Sequence, residues 1–196
     1  FPCRLTGDFR SPVLDLVNAD GSFGCDLRYQ GYEICDGKYN LKGLPAVYAA
    51  EEEAQTLIIY MKDQVTGLQV ELLYGVLPEY DVITRSAKVI NTEEDKIRLT
   101  KAQAACIDFL HGEFDVISFY GRHAMERNMQ RTSVGHGAFV IGSRRGTSSH
   151  QYNPMLILAE KETTEDAGIC YGMSFVYSGG FKAEVEKDQF GQTRIQ

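Results

Sequence analysis

The residues of this 196-residue chain that could do chemistry are four histidines, five cysteines and a scatter of serines and carboxylates. His111, His123, His136 and His150 show no H-E-x-x-H spacing, and Cys3, Cys25, Cys35, Cys106 and Cys170 form no C-x-x-C pair, so no metal site is expected. Gly31 to Lys38 comes near a phosphate loop, but five residues rather than four separate Gly31 from Gly37, and Tyr39 stands where a magnesium-binding Ser or Thr belongs. Gly135-His136-Gly137 lacks the third glycine of a dinucleotide fingerprint. Without a G-x-S-x-G elbow, Ser148 and Ser149 read as hydrogen-bonding loop residues. A hydrolytic carboxylate pair needs its groups face to face at about 5 to 10 Å, and Asp8, Asp26, Asp81, Asp108 and Asp115 give no sign of pairing. They read as solvated or turn-forming groups, and no cofactor is expected.

Three polar clusters interrupt or end strand-like runs: Thr6-Gly7-Asp8-Phe9-Arg10-Ser11-Pro12, Asp81-Val82-Ile83-Thr84-Arg85-Ser86, and Ser143-Arg144-Arg145-Gly146-Thr147-Ser148-Ser149-His150-Gln151-Tyr152-Asn153-Pro154. Arg85, inside a strand run, is expected to pair with a carboxylate such as Asp8 or Asp81, and His150 to cap a loop through side-chain hydrogen bonds. The functional expectation is a polar surface facing another domain. There Asp8, Arg10, Arg85, Ser148, Ser149, His150 and Asn153 would set register, arginines by forked bonds and the rest by adaptable ones.

Positioning these clusters requires extended elements. Leu68, Val70, Leu72, Tyr74 and Val76 alternate with Gln69, Glu71, Leu73 and Gly75, a period of two that turns one side to a core. Ile169, Tyr171, Met173, Phe175 and Tyr177 repeat the period, and Phe181, Ala183 and Val185 follow Ser178-Gly179-Gly180, which predicts a hairpin. Further strands are expected at 13–17, 25–29, 32–35, 56–62, 82–90, 97–107, 114–120, 138–141 and 155–159, with tight turns at Asp20-Gly21 and Asp36-Gly37. Only Ala46 to Ala54 leans helical, as a short helix or an exposed turn. About a dozen strands predict an all-β fold, a large antiparallel β-sandwich in one domain over 1–196, because a sheet of that size needs a second to cover its apolar face.

Composition narrows the function classes. Hydrophobic residues at 43% and charged residues at 24% are ordinary for a globular chain. Twenty Lys+Arg against 27 Asp+Glu give a net charge of −7, which repels polyanions, so nucleic acid is not an expected partner. No apolar run approaches the roughly 18 residues of a membrane helix, so no membrane partner is expected. An odd number of cysteines without paired spacing fits a reducing cytoplasm. The start at Phe1 and the stop inside a strand-like Arg194-Ile195-Gln196 read as a piece of something longer.

The third cluster carries a family resemblance. Gly-Thr-Ser-Ser-His-Gln-Tyr-Asn-Pro at 146–154 closely resembles the Ser-Ser-His-Gln-x-Asn-Pro signature of the bacterial α-galactosidases of glycoside hydrolase family 36. In matching order stand Gly7-Asp8-Phe9-Arg10, Gly37-Lys38 with Leu41 and Gly43-Leu44-Pro45-Ala46, Asp63 with Gly67-Leu68, Ile83 with Arg85-Ser86-Ala87, and Tyr171-Gly172 leading to Phe175-Val176-Tyr177-Ser178-Gly179. One departure is Gly121-Arg122-His123-Ala124-Met125-Glu126-Arg127, where His123 replaces the tryptophan that relatives commonly carry.

The resemblance implies the N-terminal β-supersandwich of a retaining enzyme that removes terminal α-linked galactose from oligosaccharides such as melibiose and raffinose. Members carry a nucleophilic and an acid/base aspartate on a (β/α)₈ barrel that follows this domain, so no catalytic residue transfers to this chain. The partners implied are that barrel and further copies in a homo-oligomer, with the first strands of the family domain expected before Phe1. Two rivals stay open: an independent carbohydrate-binding module, which the absence of any Trp for sugar stacking weakens, and a parent acting on α-linked N-acetylgalactosamine.

Overall fold

Alternating sequences become strands only where partners satisfy their backbone groups, and here nearly every expected run finds one. The computed structural model describes residues 1–4, 7–177 and 179–196. Thr6 of the first cluster and Ser178 of the Ser178-Gly179-Gly180 segment lie outside the described residues. Among those described are fourteen strands and two short 3₁₀ turns, Glu51–Glu53 and Pro78–Tyr80, so the Ala46–Ala54 stretch is irregular, extended chain that ends in one 3₁₀ piece. No helix among the described residues is long and apolar enough to cross a membrane. The chain divides into two compact units, Phe1–Cys106 and Ile107–Gln196.

The first unit holds β1 (Leu14–Val17), β2 (Leu27–Asp36), β3 (Gln55–Asp63), β4 (Gln69–Leu77), β5 (Val82–Ile90) and β6 (Arg98–Ala102). Strands β2-β3-β4-β5 form one antiparallel sheet and β1-β6 a second. Leu14 and Leu16 of the small sheet pack with Leu68, Val70 and Leu72 of the large one, and Ile59, Met61, Ala87 and Val89 close around them. This is a sandwich whose core is the period-two face read from Leu68 to Leu72. Beyond Leu72 the pattern departs from expectation: Leu73 and Leu77 are buried while Val76 is exposed. The register of β3 and β4 runs unbroken, so no bulge has moved the faces. The other side of the sheet is covered instead, by the segment after β2. Tyr39 N–H donates to Thr56 Oγ1 at 2.9 Å and Tyr39 O–H donates to Ser86 Oγ at 3.0 Å.

That segment also corrects the turn expected at Asp36-Gly37. Asp36 pairs with Gln55 across β2 and β3, so residues 37–54 make a long excursion rather than a tight hairpin. Asp20-Gly21 does turn tightly: Asn18 N–H reaches Ser22 O at 2.9 Å and Val17 bridges Phe23. The two strands expected at 25–29 and 32–35 are one, β2, whose register shifts between Tyr29 and Gly31.

The second unit holds β7 (Ile107–Phe109), β8 (Phe114–Arg122), β9 (Met125–Ser133), β10 (Gly137–Ser143), β11 (Met155–Glu160), β12 (Cys170–Ser174), β13 (Phe181–Lys187) and β14 (Thr193–Ile195). Its two antiparallel sheets run β10-β13-β14-β7 and β12-β11-β8-β9. Phe114, Val116, Leu156 and Leu158 from one face Ile141, Ala183, Val185 and Ile195 from the other, again a sandwich. The all-β, antiparallel sandwich class thus holds within each unit.

Two expectations are corrected here. The run from Ile97 to Ile107 is not one strand but β6 and β7, in separate sheets. Nor do Ile169–Tyr177 and Phe181–Val185 form a hairpin: β12 pairs with β11, whereas β13 pairs with β10 and β14. Period two names the buried face of a strand but not its neighbour, and Phe175 and Phe181, rings 5.1 Å apart, serve one core from either end of the crossing.

At the tip of the β8–β9 hairpin Gly121 lies against the opposing backbone, and a Cβ there would collide with the Met125 carbonyl. Ala124 takes a φ of 61° and its N–H is held by Glu126 Oε1 at 2.9 Å. His123, at the family's tryptophan position, is exposed on this tip.

Candidate domain-interface site

The three clusters differ in how their own structure satisfies them. Asp8 and Arg10 close on each other: Arg10 Nε and Nη2 donate to Asp8 Oδ1 and Oδ2 at 3.1 and 2.9 Å, and Arg10 N–H adds a bond of 2.9 Å to Oδ1. This two-residue clamp turns Phe9, 91% exposed, outward between them.

Arg85 is built differently and overturns the expected pairing. Neither Asp8 nor Asp81 meets it, and among the described residues it makes no ion pair. Asp81 sits in a left-handed C-terminal position of the Pro78–Tyr80 turn. Arg85 lies directly across β4 from Tyr74 and its guanidinium stacks on that ring at 4.1 Å. Its Nη1 donates to the carbonyls of Leu73 and Ser86, while Nε is buried without a partner among the described residues. Burial pushes the guanidinium below its ordinary pKa, with Tyr74 opposing the shift. The sequence could show a cation in a strand but not which carbonyls and ring would surround it. Tyr74 and Tyr39 are members of this site that residue-type reasoning passed over.

In the third cluster backbone bonds dominate. Ser143 Oγ donates to Thr147 O at 2.7 Å, Ser149 bridges Tyr152, and Ser149 Oγ accepts the Gln151 N–H at 3.2 Å. Asn153 N–H donates to Phe119 O at 3.0 Å, anchoring the loop to β8, yet its side-chain Nδ2 is buried and unsatisfied among the described residues. Ser148 is half-buried and, among the described residues, bonded only through its carbonyl, to Thr147 Oγ1 at 3.0 Å. His150 does not cap the loop. It is exposed, and among the described residues its side chain makes no hydrogen bond.

Four of the five aspartates weighed above as hydrolytic candidates, all but Asp81, are held by arginines. Besides Asp8, Asp26 pairs with Arg28 at 2.6 Å, Asp108 with Arg194 at 2.8 Å and Asp115 with Arg131 at 2.7 Å. At Asp115 the Arg131 and Ser133 hydrogen bonds outweigh burial and hold the carboxyl below its ordinary pKa, which disfavours the protonated form a general acid requires. Among the described residues no group of three or more His, Cys, Asp or Glu is placed to hold a metal ion.

Arg85 Nε and Asn153 Nδ2 are among the buried polar atoms that have no hydrogen-bond partner among the described residues. The profile described as the glycosyl hydrolase family 36 N-terminal domain matches residues 1–196. The chain belongs to that family.

Relatives of this family 36 domain include the bifunctional α-galactosidase/sucrose kinase AgaSK of Mediterraneibacter gnavus. It is 60% identical over 195 residues, covering 100% of this chain and 21% of that protein. The α-galactosidase AgaA of Geobacillus stearothermophilus is 41% identical over 196 residues, covering 100% of this chain and 27% of that protein. The chain thus spans about a fifth to a quarter of their length. The solved galactosidase domain of AgaSK superposes with a TM-score of 0.95 at 59% identity, over 100% of this chain and 27% of that one. The crystal structure of AgaA gives 0.96 at 41%, with the same coverage. The family 36 domain is an N-terminal one, and it is not the part that holds the catalytic machinery.

Proposed function

We propose that the protein carrying this chain is a retaining α-galactosidase of the cytoplasm that releases terminal α-linked galactose from oligosaccharides such as melibiose and raffinose. Residues 1–196 would act in it as one non-catalytic β-supersandwich domain. The observation that carries the reading is the match of the whole chain to the family domain, together with α-galactosidase relatives at 60% and 41% identity. In the whole enzyme one aspartate attacks the anomeric carbon, a second protonates the leaving oxygen, and water then hydrolyses the glycosyl-enzyme. Both aspartates belong to the barrel that follows this domain. Raffinose turnover by the full-length protein, with galactose as product, tests the substrate; preference for an α-N-acetylgalactosaminide would overturn it.

This domain's task is architectural: Asp8, Arg10, Arg85, Ser148, Ser149, His150 and Asn153 dock on the barrel or on a neighbouring copy in a homo-oligomer. Arg85 supports this most directly, since its guanidinium sits at the sheet surface on Tyr74 with an Nε that no acceptor among the described residues satisfies. Arg85→Ala in the full-length protein is expected to lower the assembled fraction or its melting temperature while turnover per assembled enzyme stays within about twofold. Lost stacking and hydrogen bonding of about 1–2 kcal/mol sets the scale. A variant oligomer of normal stability with no turnover would contradict the architectural role.

A further inference from the structure

Cys3 and Cys25 lie 22 positions apart in sequence, yet the Cys25 thiol donates to Cys3 Sγ at a sulfur-to-sulfur distance of 3.2 Å. Cys3 is fixed in place: it bridges Leu14 of β1 and belongs to the core cluster of Leu14, Leu16, Leu68 and Val70 at 5% exposure. Cys25 stands in the loop just before β2, packed against that cluster on one side and lining a surface cleft with Arg4, Phe23 and Asp26 on the other. A disulfide needs about 2 Å between sulfurs, so closure asks for a movement of roughly 1 Å by two short side chains. Two such thiols on separately anchored segments, one facing a core and one a cleft, have a geometry that ordinary apolar packing does not require.

We propose that Cys3 and Cys25 are a modification site for a small peroxide, which closes them into a disulfide that ties the segment before β1 to the loop before β2. The pair divides the labour. The hydrogen bond donated by Cys25 pulls the Cys3 thiol below its ordinary pKa, although burial opposes this, and pushes the Cys25 thiol up. Because Cys25 donates the thiol hydrogen bond and Cys3 accepts it, Cys3 is the attacking sulfur and Cys25 the resolving one. The Cys3 thiolate attacks one oxygen of hydrogen peroxide, the O–O bond breaks, and the departing hydroxide takes up a proton to become water. The product is a sulfenic acid on Cys3. Cys25 then loses its proton and its sulfur attacks Cys3 Sγ; the S–O bond breaks, the S–S bond forms, and the oxygen leaves as a second water. Two thiols and one peroxide give one disulfide and two waters, with two electrons passing from sulfur to peroxide. A dithiol reductant reverses the step.

The experiment uses the folded, full-length protein. It is incubated with hydrogen peroxide, quenched with catalase, alkylated, and digested with trypsin without reduction. The peptide ending at Arg4 should appear joined to the Ser11–Arg28 peptide at their summed mass less two hydrogens, and dithiothreitol should separate them. With Cys25→Ser the linked species should vanish and Cys3 should be trapped by dimedone as its sulfenic acid. Recovery of both cysteines fully alkylated after peroxide would overturn the proposal. So would a Cys3 peptide linked to Cys35, Cys106 or Cys170 instead, or a Cys25→Ser protein in which dimedone labels nothing at Cys3.

Discussion

Asp63→Ala is expected to destabilise the protein by about 2–4 kcal/mol, because three backbone donors lose one ionised acceptor. Asp63 is 3% exposed at the end of β3. Its Oδ1 accepts Val65 N–H at 2.7 Å and Thr66 N–H at 3.1 Å, and its Oδ2 accepts Asp26 N–H at 2.7 Å. One carboxylate thus shapes the β3–β4 turn and pins the entry to β2. Burial pushes its pKa up, but the amides of Asp26, Thr66 and Val65 outweigh that and hold it below the ordinary value. A depressed folded pKa means that the stabilisation is complete above the unfolded value of about 4 and is lost as pH falls through the folded one. Urea denaturation should therefore show a large difference between wild type and variant at neutral pH, narrowing below pH 4. A difference under about 1 kcal/mol at neutral pH, or one that does not narrow in acid, would contradict this role.

Arg131→Ala should cost a similar amount, about 2–4 kcal/mol, through a buried charge left without its partner. Arg131 Nε donates to Asp115 Oδ2 at 2.7 Å, and its other nitrogens reach the carbonyls of Thr163, Glu160 and Lys161 at 2.7, 3.2 and 2.8 Å. It thereby ties β9 to β8 and to the loop after β11. Asp115 is 9% exposed; burial raises its pKa, and the Arg131 and Ser133 hydrogen bonds bring it below the ordinary carboxylate value. Without Arg131 only the Ser133 hydroxyl, at 2.8 Å, remains to that carboxylate among the described residues. Combining Asp115→Asn with Arg131→Ala should recover part of the loss, since the amide carries no charge to compensate. Additive losses in a double-mutant cycle would refute the coupling.

The fold was legible where local pattern and tertiary partner agree. Strand β5 lies at Val82–Ile90 as its apolar and β-branched residues predict. The alternation from Leu68 to Leu72 correctly names a core face. What stayed hidden depends on partners far along the chain. Leu73 and Leu77 are buried because residues 37–54 return over their side of the sheet, and no period reveals a covering segment. Strand β9, with exposed Met125, Glu126, Arg127 and Met129, lacks the alternation of a half-buried strand and was missed; its pairing with β8 holds it in place. The site was legible as polar clusters, since loops rich in Ser, Asn and Arg announce themselves by composition. Their wiring was not: Arg85 took carbonyls and a tyrosine ring where a carboxylate was expected, and His150 stayed in solvent. The Asp63 bonds could be foreseen in part, because Asp followed by Gly67-Leu68 is turn chemistry, but its bond to Asp26 spans 37 positions.

The measurement closest to the central claim is hydrolysis of a chromogenic α-galactoside by purified residues 1–196 and, in parallel, by the full-length product of the same gene. A supporting domain predicts turnover by the full-length protein and none above background by residues 1–196. Turnover by residues 1–196 alone, in a folded preparation free of other glycosidases, would contradict that account. It would return attention to the carboxylates that Arg10, Arg28, Arg131 and Arg194 now hold.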